Sequence, residues 1–247
     1  MMILILNCGS QSIKYSLYTK SLKLKKEDSL YFSNKKDFIK ILKSELLDIK
    51  DVDLIGHRVV HGGDKFKKPV VITRAVLKSL KSIKLAPLHN PFNILGIKIA
   101  SRVFSKARNV AVFDTGYYKD LPKKASVYPV PGDFKRYGFH GISHEYVGSK
   151  YSGKVISCHL GGGASITAIE NGKPIDTSMG YTPMEGLMMM TRSGDIDPGI
   201  VIKLGKKAER ILNSESGIKA ICGYSDMRDV LKKDNKKTKL ALELYCY

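Results

Sequence analysis

Three observations predict an α/β protein: short apolar runs of strand length, stripes of helical period between them, and one strand-turn-strand unit that occurs twice. Residues 3–18 and 155–170 each pass from an apolar strand through a glycine-bearing turn into a second strand, with Ser12-Ile13 matching Ser165-Ile166. Two like-built sheet domains, each aiming a turn at a common cleft, suit the holding of a polyphosphate from both sides. Chance recurrence of a common hairpin is the alternative.

Residues 2–6 form an apolar run that breaks at Asn7-Cys8-Gly9-Ser10-Gln11-Ser12, after which Ile13, Tyr15 and Leu17 alternate with polar neighbours. Phe38, Ile41, Leu42 and Leu46 then recur at helical spacing, with Ser33 or Asn34 able to cap the helix. A strand over 52–60 leads into His61-Gly62-Gly63, and a helix follows over 75–83. A longer helix starts at Asn90, where Asn can cap and Pro91 brings its φ already set. The strand at 109–113 ends on Asp114-Thr115-Gly116, which puts a carboxylate where open α/β sheets collect ligands.

A proline-bearing connection over 127–134 precedes the run from Tyr137 to His144. Asn171-Gly172 signals a hairpin. Helices are expected from Pro198, over 208–212, from a cap at Ser225 to Leu231, and over 238–247, where Leu240, Leu242 and Leu244 line one side. The last of these stops without a cap, a glycine or a polar tail, so the chain is expected to continue beyond Tyr247.

At 247 residues, 43% hydrophobic and 26% charged, the composition is that of an ordinary globular chain. Lys and Arg number 42 against 23 acidic residues, and the resulting +19 favours anionic partners. The basic residues are scattered over helix faces and lack the aromatic interleaving that single-stranded nucleic acid requires, so no nucleic-acid partner is expected. Cys8, Cys158, Cys222 and Cys246 lie far apart without CxxC spacing, as reduced thiols of a cytoplasmic protein do. The N-terminal apolar run is too short for a signal or a membrane span.

The chemistry concentrates between His159 and Pro198. Gly161, Gly162 and Gly163 sit between two strands, where backbone N–H groups can turn toward an anion; a hairpin that only needs positive φ is the competing account. Arg58 and Arg192 stand beside glycine or small-residue turns and could each grip a carboxylate or phosphate through two hydrogen bonds. Asp114 could hold Mg2+, orient a nucleophile, or simply cap the next turn. His57 with His61 and His140 with His144 have HxxxH spacing, but the surrounding glycines argue against the helices that a zinc site of this kind needs. His140 is better suited to donating a hydrogen bond to a transferring phosphoryl group.

The motifs NCGSQSIKYSL, GHRVVHGG, LAPLHNP, VFDTG, RYGFHGISH, HLGGGAS, DTSMGYTPMEGLMMMTRSGDIDP and SGIKAICGYSDMRDV occur in the order found in the acetate kinase family, which the chain resembles over nearly its whole length. The resemblance implies a ribonuclease-H-like (actin-like ATPase) fold, α/β, with a duplicated βββαβαβα unit. The first domain would span 1–150, and a second, incomplete one 151–247. It implies reversible transfer of the γ-phosphate of ATP to acetate, giving acetyl phosphate and ADP, with Mg2+ or Mn2+ as metal and a homodimer as the family's assembly. By analogy, Asp114, His140 and Arg192 serve catalysis, and Arg58 binds the substrate carboxylate. Val60, Leu88, Phe139 and Pro183 enclose its methyl group, and Asn7 lies at the metal. Ser10, Ser12, Lys14, His159, Leu160, Gly161, Gly162, Gly163, Asp226, Met227 and Arg228 contact the nucleotide and its phosphates. A methyl-sized pocket discriminates by about 1–3 kcal/mol per methylene, so propionate or another short carboxylate is the alternative substrate.

Three departures stand out. Gly162 replaces an asparagine usual in the family's second phosphate loop, and Met190 replaces a small residue two positions before Arg192. Family members also continue well past the point where this sequence stops, so the chain as it stands is expected to bind ATP poorly, turn over slowly and lack most of its dimer surface. A non-catalytic phosphate- or nucleotide-binding module is the reading from another class.

Overall fold

The computed structural model describes residues 1–10, 12–87 and 89–247. They form two compact units, Met1–Tyr117 and Tyr118–Tyr247, dividing earlier in the chain than the boundary at 150 that the motifs suggest.

The first unit opens with an antiparallel meander of β1 (Met2–Cys8), β2 (Ser12–Thr19) and β3 (Leu24–Tyr31). β4 (Val52–Val59) pairs parallel with β1, and β6 (Arg108–Phe113) parallel with β4. The short β5 (Val70–Val71) closes the sheet, whose order is β3-β2-β1-β4-β6-β5. This is the ribonuclease-H-like arrangement. Period-two alternation explains the buried face: Leu4, Leu6 and Cys8 of β1 and Ile13 and Tyr15 of β2 point into a core shared with Phe38, Leu42 and Leu46 of α1 (Lys35–Leu47). Complete burial of each large side chain contributes roughly 1.5–3 kcal/mol. Asn34 caps α1, its Oδ1 accepting from Lys36 N and Asp37 N at 2.9 and 3.1 Å.

β3 has no counterpart in the apolar pattern. Its sequence LKKEDSLY is almost wholly exposed, and its charges suit an edge strand that must not recruit another chain.

α2 (Arg74–Ser82) and α3 (Asn90–Val103) precede β6. Asn90 does not cap α3: it is buried inside the first turn, its Oδ1 accepting from His61 N at 3.1 Å and its Nδ2 donating to His61 O at 3.1 Å. Tertiary hydrogen bonding has taken the side chain that a cap would use. α3 lies close against β1, since a Cβ on Gly96 would come within 2.4 Å of Cys8 Sγ.

The second unit starts with α4 (Lys123–Ser126) and α5 (Gly141–Gly148). An antiparallel meander follows: β7 (Lys154–Leu160), β8 (Ala164–Glu170) and β9 (Lys173–Thr177). It repeats the design of β1 to β3. Asn171 and Gly172, with φ of 49° and 76°, make the tight β8-β9 turn. Beyond β9 the described residues form helices and loops only: α6 (Pro198–Leu204), α7 (Ala208–Ser214), α8 (Gly217–Cys222), α9 (Met227–Leu231) and α10 (Lys236–Cys246). Asp226, not Ser225, caps α9, because its carboxylate accepts from Arg228 N at 2.8 Å. Met190, Ile218, Val230 and Ala241 form the core beneath these helices. Among the described residues no helix is long and apolar enough to cross a membrane.

Two consequences are measurable. Gly96→Ala should lower the urea midpoint, because overpacking against Cys8 costs about 1–3 kcal/mol while helix propensity returns at most ~1 kcal/mol. The loss should shrink in a Cys8→Ala background, and an unchanged midpoint for Gly96→Ala alone would contradict the close contact. The second consequence concerns His57 and His144, buried at 2% and 0% exposure. Burial pushes each imidazole from 6.5 down to about 4, with His159 adding charge repulsion at His144 and Asn109 partly opposing the shift at His57. The unfolded chain therefore takes up protons near pH 6.5 that the folded chain refuses until about pH 4. Stability from this source is complete above pH 6.5 and falls toward pH 4, by on the order of 3 kcal/mol per histidine. Urea titrations from pH 7.5 to 4.5 should show it, with a shallower fall in His57→Gln and His144→Gln.

Candidate active site

In the first unit the parallel strands β1, β4 and β6 deliver Asn7, Arg58 and Asp114 to one place. Arg58 Nε donates to the two Asp114 carboxylate oxygens at 3.1 and 3.0 Å, and its Nη2 donates to Oδ2 at 2.5 Å. Its Nη1 donates to Asn7 Oδ1 at 3.0 Å. Asp114 is only 1% exposed, and its charge raises the Arg58 pKa above the ordinary guanidinium value. Lys14 stands directly opposite Asn7 in the β1-β2 ladder and is exposed. Ser10 and Ser12 are half-buried, and Gly9 N donates to Ser12 O at 2.9 Å.

The end of β4 is fixed from α3. Asn93 Oδ1 accepts from Val60 N at 3.0 Å while its Nδ2 donates to Cys8 O at 2.7 Å, tying β1 to β4 just below Asn7 and Arg58. Val60 itself is buried. Leu88 lies outside the described residues. Asn7 and Asp114 offer oxygen to a cation, and among the described residues no group of three or more His, Cys, Asp or Glu gathers elsewhere. Two oxygen donors fit a hard divalent ion that takes its other ligands from phosphate and water, and do not fit zinc.

In the second unit the β7-β8 turn is the centre. A Cβ built on Gly163 would lie 3.4 Å from His140 Nε2 and Cε1 and 3.5 Å from Arg192 Nη1, so an imidazole and a guanidinium flank one turn residue. None of Gly161, Gly162 and Gly163 has positive φ, and the hairpin closes through Gly161 N donating to Gly163 O at 2.9 Å. A left-handed turn therefore does not account for these glycines. Nothing lies within 4 Å of a Cβ on Gly162, so the asparagine usual there would fit.

His140, in the left-handed region at φ 55°, stacks on His159 with centroids 4.1 Å apart. His159 Nδ1 lies 2.9 Å from Ser143 Oγ, and Leu160 beside it is exposed. Arg192 Nη1 donates to Pro183 O at 3.3 Å. Its loop is pinned at several points: Met190 N donates to Gly162 O at 3.3 Å, Ile218 N to Met189 O at 3.0 Å and Lys219 N to Met190 O at 3.0 Å. The Met190 side chain is buried in the helical core with Ile218, Val230 and Ala241.

Asp226, Met227 and Arg228 sit at the start of α9. Arg228 Nη2 donates to Asp226 at 2.5 Å, which holds that carboxyl down at about 2, while Met227 packs on the same core as Met190. Phe139 is buried, its carbonyl accepting from Tyr118 Oη at 2.9 Å, and Pro183 is half-buried. The supporting residues went without their role in the sequence reading: Asn90, taken for a cap, and Asn93 in the first unit, Ser143, Ser157 and Ser165, the last noted only as a repeat match, in the second. An Asn at i and i+3 on an otherwise apolar helix face was the available signal for the first pair.

Residues 25–247 match the model of the acetokinase family. The acetate kinase of Carboxydothermus hydrogenoformans is 40% identical over an alignment that takes in all of this chain and 77% of that protein. That alignment runs to 308 residues, so the relative carries segments with no counterpart among the 247 here. A propionate kinase from Francisella tularensis superposes with a TM-score of 0.89 at 37% identity, covering 99% of this chain and 77% of that one. The Porphyromonas gingivalis acetate kinase gives 0.83 at 33%, covering 99% and 76%. The fold is the actin-like ATPase fold of those enzymes, and with the family's motifs at both clusters the chain belongs to the acetokinase family.

Proposed function

We propose that this chain phosphorylates acetate at the expense of ATP, reversibly, by direct transfer of the γ-phosphoryl group. The observation that carries the reading is the convergence of His140 and Arg192 on Gly163, which gathers a neutral donor, a fixed cation and turn backbone around one anion-sized position. A carboxylate oxygen attacks the γ-phosphorus, the bond from that phosphorus to the bridging oxygen breaks, and ADP leaves with the electron pair. Such a transfer is governed by in-line placement and charge neutralisation.

Acetate is already ionised near neutrality, so the nucleophile needs no base. Asp114 accordingly acts through Arg58: it occupies the Nε–Nη2 edge while Asn7 takes one Nη1 hydrogen, leaving one hydrogen on Nη1 and one on Nη2 for the substrate carboxylate. Asn7 and Asp114 would hold Mg2+, which supplies neutralisation of the phosphate oxygens. Lys14, Ser10, Ser12 and His159 to Gly163 bind phosphates. By family analogy Asp226 to Arg228 serve the nucleoside, and Val60 and Leu88 of the first unit and Phe139 and Pro183 of the second are the residues assigned to the methyl group. Acetate preference and a homodimeric assembly follow the same analogy, and propionate is the competing substrate because a relative of 37% identity is a propionate kinase.

Acetyl phosphate formation from acetate and MgATP, trapped with hydroxylamine, tests the proposal. Arg192→Ala should reduce kcat about 10²–10³-fold, the loss typical of one preorganised charge donor. Arg58→Lys should raise KM for acetate, since a point charge cannot reproduce the paired hydrogen bonds. Nucleotide binding without turnover, unaffected by Arg192→Ala, would assign the chain to a non-catalytic binding role instead.

A further inference from the structure

Ser165 of β8 is fully buried, and its Oγ lies 2.8 Å from His140 Nδ1 and 2.8 Å from His144 Nε2. His144, also fully buried, places its other nitrogen, Nδ1, 2.8 Å from Ser157 Oγ. Ser157 is itself 4% exposed. A hydroxyl has one proton to donate, and a neutral imidazole has one N–H and one lone pair. If the Ser165 proton goes to His140 Nδ1, Ser165 has to accept from His144 Nε2–H, and the neutral His144 then has to accept from Ser157 at Nδ1.

We propose that Ser165 and His144 are positioning residues that hold His140 as a neutral imidazole protonated on Nε2. The inference rests on the reading that His140 faces the transferring phosphoryl group. The Nε2 edge of His140 is the edge turned to Gly163. Phosphoryl oxygens only accept, so Nε2 must donate and Nδ1 must accept from the Ser165 hydroxyl. Ser165, its proton committed, accepts from His144 Nε2–H, and His144 Nδ1 accepts from Ser157. Each of the three contacts then has one donor and one acceptor.

Neutrality follows from the surroundings. The Arg192 guanidinium flanks the same glycine, and a second cation beside it is disfavoured. Burial keeps His144 neutral as well, so it cannot donate from both nitrogens and break the sense of the chain. The functional gain is a donor set before substrate arrives, at no cost of reorientation during transfer. A wrong imidazole tautomer with intact geometry is known to be costly to catalysis.

The test is two-bond 15N–1H correlation on the histidine-labelled chain, with the His140 signals assigned by their loss in His140→Gln. The Nε2-protonated pattern is expected for the wild type, and a mixed or Nδ1-protonated pattern for Ser165→Ala. His144→Gln, whose amide can donate to Ser165 Oγ, should retain the wild-type pattern. In acetyl phosphate synthesis Ser165→Ala should lose about 10–100-fold in kcat, the range for outer groups that orient a functional imidazole, with KM for acetate and ATP little changed. Should Ser165→Ala fail to fold by circular dichroism, Ser165→Cys keeps the volume with a weaker donor and is read in the same way. An unchanged His140 tautomer in a folded Ser165 variant overturns the relay. Full kcat in His140→Gln would instead remove the phosphoryl role, leaving the tautomer measurement to decide the relay by itself.

Discussion

The ion pair between Arg58 and Asp114 is the constraint around which the first unit is arranged. Both charges leave bulk water, Asp114 almost completely, and desolvation at such a site can cancel much of the Coulomb attraction. The pair is therefore poor evidence of stabilisation. Its arrangement makes better sense as placement, because the carboxylate grips one edge of the guanidinium and fixes the plane of the other. The parallel pairing of β1, β4 and β6 makes this possible by ending three adjacent strands at one level. Asn93 then fastens the carbonyl of Cys8 to the amide of Val60, so the two strands cannot slide past each other without losing buried hydrogen bonds.

The second unit reaches a comparable rigidity by other means. Its turn is short and free of left-handed glycines at 161, 162 and 163, and what surrounds the turn is held from behind: His140 by Ser165, and the arginine loop by the first residues of α8. Gly217 is required there, since a Cβ would lie 2.0 Å from Met189 O and 2.5 Å from Arg192 O, at a φ of 62°. Met190 fits this arrangement. The residue that replaces a small one in the motif is one of the side chains closing this core, together with Ile218 and Val230.

Much of this was legible in the sequence. The apolar alternation of β1, β2 and β4, the caps of α1 and the Asn171-Gly172 turn follow local rules, and the motifs name Arg58, Asp114, His140 and Arg192 at once. β3 escaped because an edge strand need not bury a face, and its pairing to β2 replaces the hydrophobic signal with backbone hydrogen bonds. Asn90 was misread because capping and tertiary hydrogen bonding ask for the same residue type, and only the fold says which one has it. The role of Ser157 and Ser165 carried no signal, since a serine on a strand is unremarkable until histidines are brought against its hydroxyl.

The +19 charge deserves a separate account, because the residues that supply most of it are not those that grip the anion. Lys35, Lys36, Lys40 and Lys43 lie on the exposed side of α1, and Lys232, Lys233, Lys236, Lys237 and Lys239 are exposed around the start of α10. At physiological ionic strength their field decays over about 8 Å, so they can speed the approach of a polyanion without selecting it. Selection has to come from groups whose geometry is fixed. Arg58 and Arg192 are cations of that kind, one aligned by a carboxylate and the other by a backbone carbonyl. Salt should therefore act on the rate of nucleotide association far more than on the rate of transfer, because the first depends on scattered charge and the second on a few immobilised donors.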